Sequence, residues 1–207
     1  MEITFTKGNW EHLFDYAYTW RFPDTPKFIQ EENCIANTKG ETGYGFTSIF
    51  LKQMYGSGTK ISFTASFESY GAPLLVIAKE FERDGDGNLR FGDYQEIVLW
   101  ENGVNIWDFQ KVGEAAQIDG PRYRGFPLVE SGVRIDWLLR NDFPLEAKKL
   151  HTLTVELCWQ RLKVWADDRY FELRIPELPE KVWLGITGCE GLNRFYNLTL
   201  EPGVPER

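Results

Sequence analysis

The sequence HTLTVELCWQRLKVWADDRYFELRIP occupies residues 151–176, and VWLGITGCEGLNRFYNLTLE follows at residues 182–201. In the first segment apolar residues recur at every second position, at Leu153, Val155, Leu157 and Trp159. Successive side chains of a β-strand point to opposite faces, so this period of two predicts a strand half buried in a sheet. Tight reversals at residues 160–161 and 167–168 then divide the segment into antiparallel strands.

Much of the remaining chain repeats this pattern. Strands are predicted at residues 13–22, 27–37, 45–52, 60–69, 73–81, 94–102, 104–110 and 132–140. In the 60–69 strand, the residues expected to point inward are Ile61, Phe63, Ala65 and Phe67. Many short strands separated by turns predict an all-β fold of two stacked antiparallel sheets, a β-sandwich or jelly roll.

Three local signals refine this picture. Residues 69–71, Ser-Tyr-Gly, predict a turn between two strands. Residues 102–103, Asn-Gly, predict a two-residue hairpin loop, because both positions of such a loop favour positive φ. Residues 144–151, PLEAKKLH, predict one short helix, since an acidic start and a basic end suit the helix dipole.

Composition favours one domain and restricts its partners. The chain has 207 residues, of which 43% are hydrophobic and 15% aromatic, enough to bury a sizeable core. No linker or repeat divides it, so residues 1–207 are expected to form a single domain. The net charge of -8 argues against nucleic acid and anionic membranes, which attract basic faces, and it favours neutral glycans over acidic ones.

The sequence also predicts a cytoplasmic location. The N-terminal residues show no positive segment followed by an apolar run of signal-peptide length, and no stretch is apolar enough to span a membrane. The cysteines are odd in number and scattered, at Cys34, Cys158 and Cys189, which predicts reduced thiols. The two histidines are isolated in the sequence as well, so the histidines and cysteines together predict no zinc site.

The C-terminal block resembles the closing strands of the concanavalin A-like lectin/glucanase superfamily, including its laminin-G-like branch. The similarity lies in the strand that begins at His151, the turn at residues 167–168 and the segment LGITGCEGLNRFYNLTL at residues 184–200. This resemblance implies a concanavalin A-like sandwich that binds an oligosaccharide on its concave sheet. Domains of this superfamily often carry calcium, although the sequence itself predicts no cofactor.

Residues 96–101, EIVLWE, resemble the paired-glutamate signature of the family 16 glycoside hydrolases. The resemblance implies Glu96 as nucleophile and Glu101 as acid/base, with Val98 in place of the aspartate between them. Retaining hydrolysis needs two carboxyl groups about 5–5.5 Å apart. Residues five positions apart reach the same face of a strand only through a β-bulge. The same strand also resembles the 3-keto-disaccharide hydrolase domains, at Tyr94, Glu96 and Ile97, with Glu101 near the position of the final acid.

Aromatic and polar side chains on neighbouring strands predict a sugar-binding surface. Sugars stack their C–H faces on Trp and Tyr rings, and their hydroxyls bond to Asn, Asp, Glu and Arg. The candidates lie on three strands and in the long irregular stretch at residues 111–131. The candidate ligand-binding residues are Tyr94, Trp100, Asn105, Trp107, Arg124, Asp136 and Trp137.

Three functions fit these observations. The first is a carbohydrate-binding domain, non-catalytic or weakly catalytic, that recognises a neutral oligosaccharide. The second is a glycoside hydrolase that uses Glu96 and Glu101, or another carboxylate pair such as Asp136 with Glu156. The third is a structural module whose aromatic face docks a protein, including a second copy of the chain in a homo-oligomer.

Overall fold

The computed structural model describes residues 1–19, 26–40, 43–110, 122–123, 126–128, 133–135, 137–140, 143–175 and 178–203. Regular structure in these residues is β-strand, apart from one 3₁₀ turn at Glu11–Leu13. The strands are β1 (Glu2–Thr4), β2 (Phe14–Tyr16), β3 (Tyr18–Thr19), β4 (Ile29–Gln30), β5 (Ile35–Ala36), β6 (Lys39–Gly40), β7 (Gly43–Tyr44), β8 (Thr47–Gly56), β9 (Lys60–Arg83), β10 (Leu89–Trp100), β11 (Gly103–Gln110), β12 (Arg122–Tyr123), β13 (Phe126–Leu128), β14 (Val133–Ile135), β15 (Trp137–Arg140), β16 (His151–Cys158), β17 (Arg161–Ala166), β18 (Arg169–Arg174) and β19 (Lys181–Glu201). Among the described residues, no helix has the length and apolar character needed to cross a membrane.

Two long strands, β9 and β19, organise the whole fold. They pair antiparallel from Lys60 opposite Glu201 to Ala78 opposite Trp183. Both contain a residue with positive φ near the middle, at 65° in Tyr70 and 59° in Glu190, and their register shifts next to Glu190. A left-handed residue inside a strand bends it. Each long strand can therefore belong to one sheet before its bend and to the other sheet after it.

The two halves of β9 and β19 pair with different neighbours, which defines two sheets. In the back sheet, β18, β17 and β16 lead to the first half of β9, followed by the second half of β19 with β1 and β5. In the front sheet, β12 and β15 both pair with one edge of β11, and β10 pairs with its other edge. The sheet continues from β10 through the second half of β9 to the first half of β19, β8 and β2.

The main hydrophobic core lies between these sheets. Phe63 and Val155 enter it from the back sheet, and Leu75 and Ile97 enter it from the front sheet; each is at most 1% exposed. The inward face predicted for the 60–69 strand is confirmed, because all four of its predicted residues lie in this core. The all-β sandwich expected from the alternating pattern is likewise confirmed.

Two local predictions are wrong. Residues 69–71 do not end a strand: they form the bend inside β9, because pairing with β19 resumes on the far side of Tyr70. Residues 144–151 form no helix: His151 begins β16, and residues 144–150 form a loop that is tied to the sheets through its backbone. Leu145 N donates to the Glu101 carbonyl, and Lys148 N donates to the Phe67 carbonyl.

Two hairpin loops lie one residue earlier than predicted. The β10–β11 loop consists of residues 101–102, and Gly103 already pairs with Trp100. The β16–β17 loop consists of residues 159–160, so Trp159 does not continue the core face of its strand. It is 64% exposed, whereas Leu157, two residues before, is buried.

Candidate functional site

Predicted site residues of β10 and β11 come together on the outer face of the front sheet. Ile97 and Leu99 point into the core, so alternate residues of β10 point away from it. The ladder places Glu96 directly opposite Trp107 and Val98 opposite Asn105. We call this surface the aromatic face; it comprises Leu74, Val76 and Ala78 of β9, Tyr94, Glu96, Val98 and Trp100 of β10, and Asn105, Trp107 and Phe109 of β11.

A chain of contacting rings runs across this face. Its members, in order of contact, are Trp183, Phe81, Phe50, Phe91, Tyr94 and Phe109. The Tyr94 and Phe109 rings are stacked, with centroids 4.5 Å apart and planes 12° apart. Phe91 and Tyr94 both join the cluster because Asp93, with a φ of 42°, interrupts the alternation between them. The rings form a second apolar cluster, separate from the core between the sheets.

The centre of the aromatic face is closed, and its accessible part lies on β10 and β11. Tyr94 and Val76 are 0% exposed and Glu96 is 6% exposed, whereas Trp100 and Trp107 are partly exposed. Gly103 lies opposite Trp100, so no side chain covers the indole from the neighbouring strand. Among the rings of β10 and β11, Trp100 and Trp107 are therefore the ones on which a ligand can stack.

A buried acceptor lies between these two indoles. Asn105 is two residues before Trp107 on β11 and is a diagonal neighbour of Trp100 on β10. Its Oδ1 is buried, and no hydrogen-bond partner for it is present in the described part of the chain. An amide oxygen accepts hydrogen bonds, and a buried one without a partner is unfavourable. The local chemistry therefore suits a ligand that has an apolar face and a hydroxyl donor.

The two predicted catalytic glutamates do not converge. The β10–β11 register is continuous from Tyr94 to Trp100, so the bulge that the pair requires is absent from this ladder. Glu96 lies on the aromatic face, while Glu101 is an exposed residue of the hairpin loop. The pairing of Glu96 with Glu101 inferred from the hydrolase signature is therefore not seen in the geometry.

Glu156, the other acid considered for catalysis, lies on a different surface. It faces outward from the back sheet, and its Oε1 accepts a hydrogen bond from Lys163 Nζ at 2.9 Å. This bond is the main reason why the pKa of Glu156 lies below its usual value. Glu156 is therefore a partner in an ion pair rather than a proton donor at the aromatic face.

The remaining predicted residues lie at or beyond the edge of the described site. Trp137 of β15 is the register partner of Trp107, which places its backbone beside the aromatic face. Arg124 and Asp136 fall outside the described residues. The prediction that these two bind a ligand stays a prediction.

Sequence reasoning missed four rings of the chain that crosses this face, Trp183, Phe81, Phe50 and Phe91. Trp183 alternates with the core residues Val182 and Leu184, so its parity alone indicated an outward position. Phe50 had no comparable signal, because its neighbours in the sequence are also apolar and buried. In the described ranges, no group of three or more His, Cys, Asp or Glu side chains is placed to hold a metal ion.

Searches with the sequence find no matching family model and no matching curated protein. Solved structures do match. The carbohydrate-binding module CBM66 from Bacillus subtilis is 16% identical, with a TM-score of 0.51 over 86% of this chain and 99% of that chain. The exoplasmic/lumenal domain of VIP36, bound to Ca2+ and Man3GlcNAc, is 14% identical, with a TM-score of 0.57 over 99% of this chain and 90% of that chain.

A third similar structure is named for a different property. Rv0315 of Mycobacterium tuberculosis, described as an immunostimulatory antigen and pseudo β-1,3-glucanase, is 10% identical, with a TM-score of 0.57 over 99% of this chain and 98% of that chain. At such low identities the likeness concerns the fold. The chain has the concanavalin A-like β-sandwich fold shared by lectins, carbohydrate-binding modules and glucanase-like proteins.

Proposed function

We propose that the protein binds a neutral oligosaccharide on the aromatic face, through stacking on Trp107 and Trp100 and a hydrogen bond to Asn105. The fold is compatible with this ligand, since two of the similar structures are named as a carbohydrate-binding module and a glycan-bound domain. Folds host many functions, however, so the site has to support the proposal by itself.

The buried Oδ1 of Asn105 carries this proposal. Leaving a buried acceptor unsatisfied costs about 1–3 kcal/mol. Asn105 as a whole is partly exposed, so a rotation of its amide would present Oδ1 to a sugar hydroxyl, and the new hydrogen bond would recover that free energy on binding. The two partly exposed indoles on either side of Asn105 offer apolar surface for the sugar ring, and a few polar groups among aromatic side chains are typical of small-molecule sites.

A neutral ligand suits the electrostatics of the protein. The net charge of -8 repels anionic glycans. The aromatic face itself adds a single acid, Glu96, to otherwise apolar and amide side chains on the described strands β9, β10 and β11. Binding without cleavage is favoured, because glycoside hydrolysis needs two carboxyl groups at a defined separation, whereas Glu101 lies in the hairpin loop and does not share the face of Glu96.

The experiment is a screen of neutral oligosaccharides by glycan array, followed by calorimetry on each hit. Asn105→Ala should weaken binding roughly tenfold, by loss of one buried hydrogen bond, without lowering the melting temperature. Trp107→Ala should weaken binding at least as much. Trp159→Ala is the matched control, because it removes an exposed indole from a distant loop and should leave the affinity unchanged. EDTA should also leave it unchanged.

Three results would overturn the proposal. Release of reducing ends by the wild type, abolished in Glu96→Gln, would make the protein a hydrolase. Full affinity in both Asn105→Ala and Trp107→Ala would place the site elsewhere. Absence of binding to every glycan, with dimerisation that Trp107→Ala abolishes, would make the aromatic face a protein interface.

A further inference from the structure

The outer face of the back sheet presents two parallel rows of side chains that the site on the front sheet does not use. One row consists of aromatic and hydroxyl side chains, in the register order Tyr170, Trp165, Thr154, Ser62 and Thr199. The adjacent row consists of charged side chains of alternating sign, in the register order Glu172, Lys163, Glu156, Lys60 and Glu201. Each row crosses five strands, or about 19 Å at a spacing of about 4.8 Å.

The aromatic end of the first row is a fixed pair of rings. The centroids of Trp165 and Tyr170 are 5.0 Å apart, with their planes inclined by 36°. The ammonium of Lys60 lies 5.2 Å from the centroid of Trp165, a cation–π distance that holds the indole in place. Tyr170 is 50% exposed and Trp165 is partly exposed. The pair therefore offers preorganised apolar surface at one end of the row.

The rest of the first row has spare hydrogen-bonding capacity. Ser62 Oγ and Thr154 Oγ1 are 2.7 Å apart, so one of them donates to the other. A hydroxyl has one donor and two acceptor positions, so each bonded pair keeps positions free for a ligand. Thr64 and Thr152 repeat this arrangement on the same two strands, with their oxygens 3.3 Å apart.

The charges of the second row compensate each other. Lys163 Nζ lies 2.9 Å from Glu156 Oε1, and both residues have register neighbours of opposite charge. Although the whole chain is acidic, this face therefore attracts neither polyanions nor polycations strongly. A protein partner also suits it poorly, since Lys, Glu and Ser are depleted at protein–protein interfaces.

We propose that the outer face of the back sheet is a second carbohydrate-binding surface, whose ligand is an extended neutral polysaccharide lying along the row from Tyr170 to Thr199. An uncharged polymer with apolar ring faces and many hydroxyls matches a long row that begins with stacked rings and continues with hydroxyls. This surface is separate from the aromatic face and does not depend on the function proposed there.

The test is a depletion assay with insoluble neutral polysaccharides (cellulose, chitin, mannan and β-1,3-glucan) in 0.5 M NaCl, which screens charge interactions. Tyr170→Ala and the double variant W165A/Y170A should lower retention, the double variant roughly tenfold if each ring contributes a stacking free energy of ordinary size. Trp159→Ala is the matched control, an exposed indole at the tip of the β16–β17 hairpin, to which Trp165 also belongs. The same comparison is made in a Trp107→Ala background, where the site proposed on the front sheet is removed and the remaining retention reports the back sheet.

The outcomes separate the two surfaces. Retention lost in Tyr170→Ala but kept in Trp107→Ala would support the proposal. Retention equal to wild type in Tyr170→Ala and in the folded double variant would overturn it, as would retention of the wild type by none of the four polymers. Loss only in Trp107→Ala would overturn it while leaving the front site intact. If the wild type forms a dimer that Tyr170→Ala dissociates, the partner of this surface is a second copy of the chain and not a glycan.

Discussion

The Phe50 ring occupies the space that a side chain at Gly185 would need. A Cβ on residue 185 would lie 2.7 Å from Cγ of Phe50 and 2.6 Å from the Ile49 carbonyl oxygen. The two residues are register partners on β8 and β19, so the ring of one strand lies over the bare backbone of the next. This contact positions Phe50 against Phe81 and Phe91, and it thereby links β8 to the aromatic face.

We predict that Gly185→Ala destabilises the protein by about 1–3 kcal/mol, because the backbone and the ring must both move to admit one methyl group. Urea unfolding measures the change as a lower midpoint. Gly85→Ala is the matched control, since a Cβ on Gly85 meets no atom within 4 Å and should change stability by less than about 0.5 kcal/mol. Equal midpoints for the two variants would refute this packing.

A second prediction concerns acid stability. Arg194 donates to Glu68 at 2.6 Å and to Glu31 at 2.8 Å, which ties β19 to β9 and to the loop after β4. The hydrogen bond from Arg194 is the main cause that lowers the pKa of Glu68 below 4.5. A lowered carboxyl pKa stabilises the fold above the unfolded-state value, and this stability is lost as the pH falls through the folded-state value.

Glu68→Gln should therefore reduce stability at pH 7, by up to about 1 kcal/mol for a partly exposed pair, and should flatten the decline of stability below pH 4.5. Urea titrations between pH 7 and pH 3 measure both effects. Lys52→Met serves as control. The Lys52 and Asp15 side chains are 3.7 Å apart and about half exposed, so loss of this ion pair should change the stability little. A variant that keeps the acid slope of the wild type would contradict the assignment.

The third prediction tests where the β16 strand ends. Leu157→Ala should cost about 2–5 kcal/mol, because Leu157 is 2% exposed in the core between the sheets. Trp159→Ala should change stability by less than about 0.5 kcal/mol, because the indole is 64% exposed. Thermal unfolding of the two variants decides the matter. Comparable losses in both would mean that Trp159 continues the buried face after all.

The face of a strand on which a side chain lies could be predicted from the sequence, because it depends only on the local alternation of residues along that strand. The inward position of Phe63 and the shared face of Glu96 and Trp100 follow from counting residues once a strand is recognised. Strand continuity could not be predicted in the same way. Residues 69–71 have the composition of a turn, and only the distant partner β19 makes them a bend within one strand.

The candidate site likewise has a part that local alternation predicts and a part that it does not. The shared face of Tyr94 and Trp100, and that of Asn105 and Trp107, could be predicted because these residues alternate on two strands joined by a hairpin. That they bind a ligand stays a prediction. Phe91 was missed because the predicted strand begins at residue 94, whereas β10 begins at Leu89 and continues through the positive φ of Asp93. Whether Glu96 and Glu101 share a face depends on a β-bulge that the sequence does not signal, and the ladder from Tyr94 to Trp100 contains none.

The long ladder between β9 and β19 also determines how the chain can fold. Lys60 pairs with Glu201, so both sheets depend on pairing between segments that are far apart in the sequence. Closing so large a loop costs entropy before any contact repays it, and non-local pairing of this kind slows folding to milliseconds or seconds. We expect refolding in a single slow phase, with both sheets gaining amide protection together, because each contains half of the same two strands.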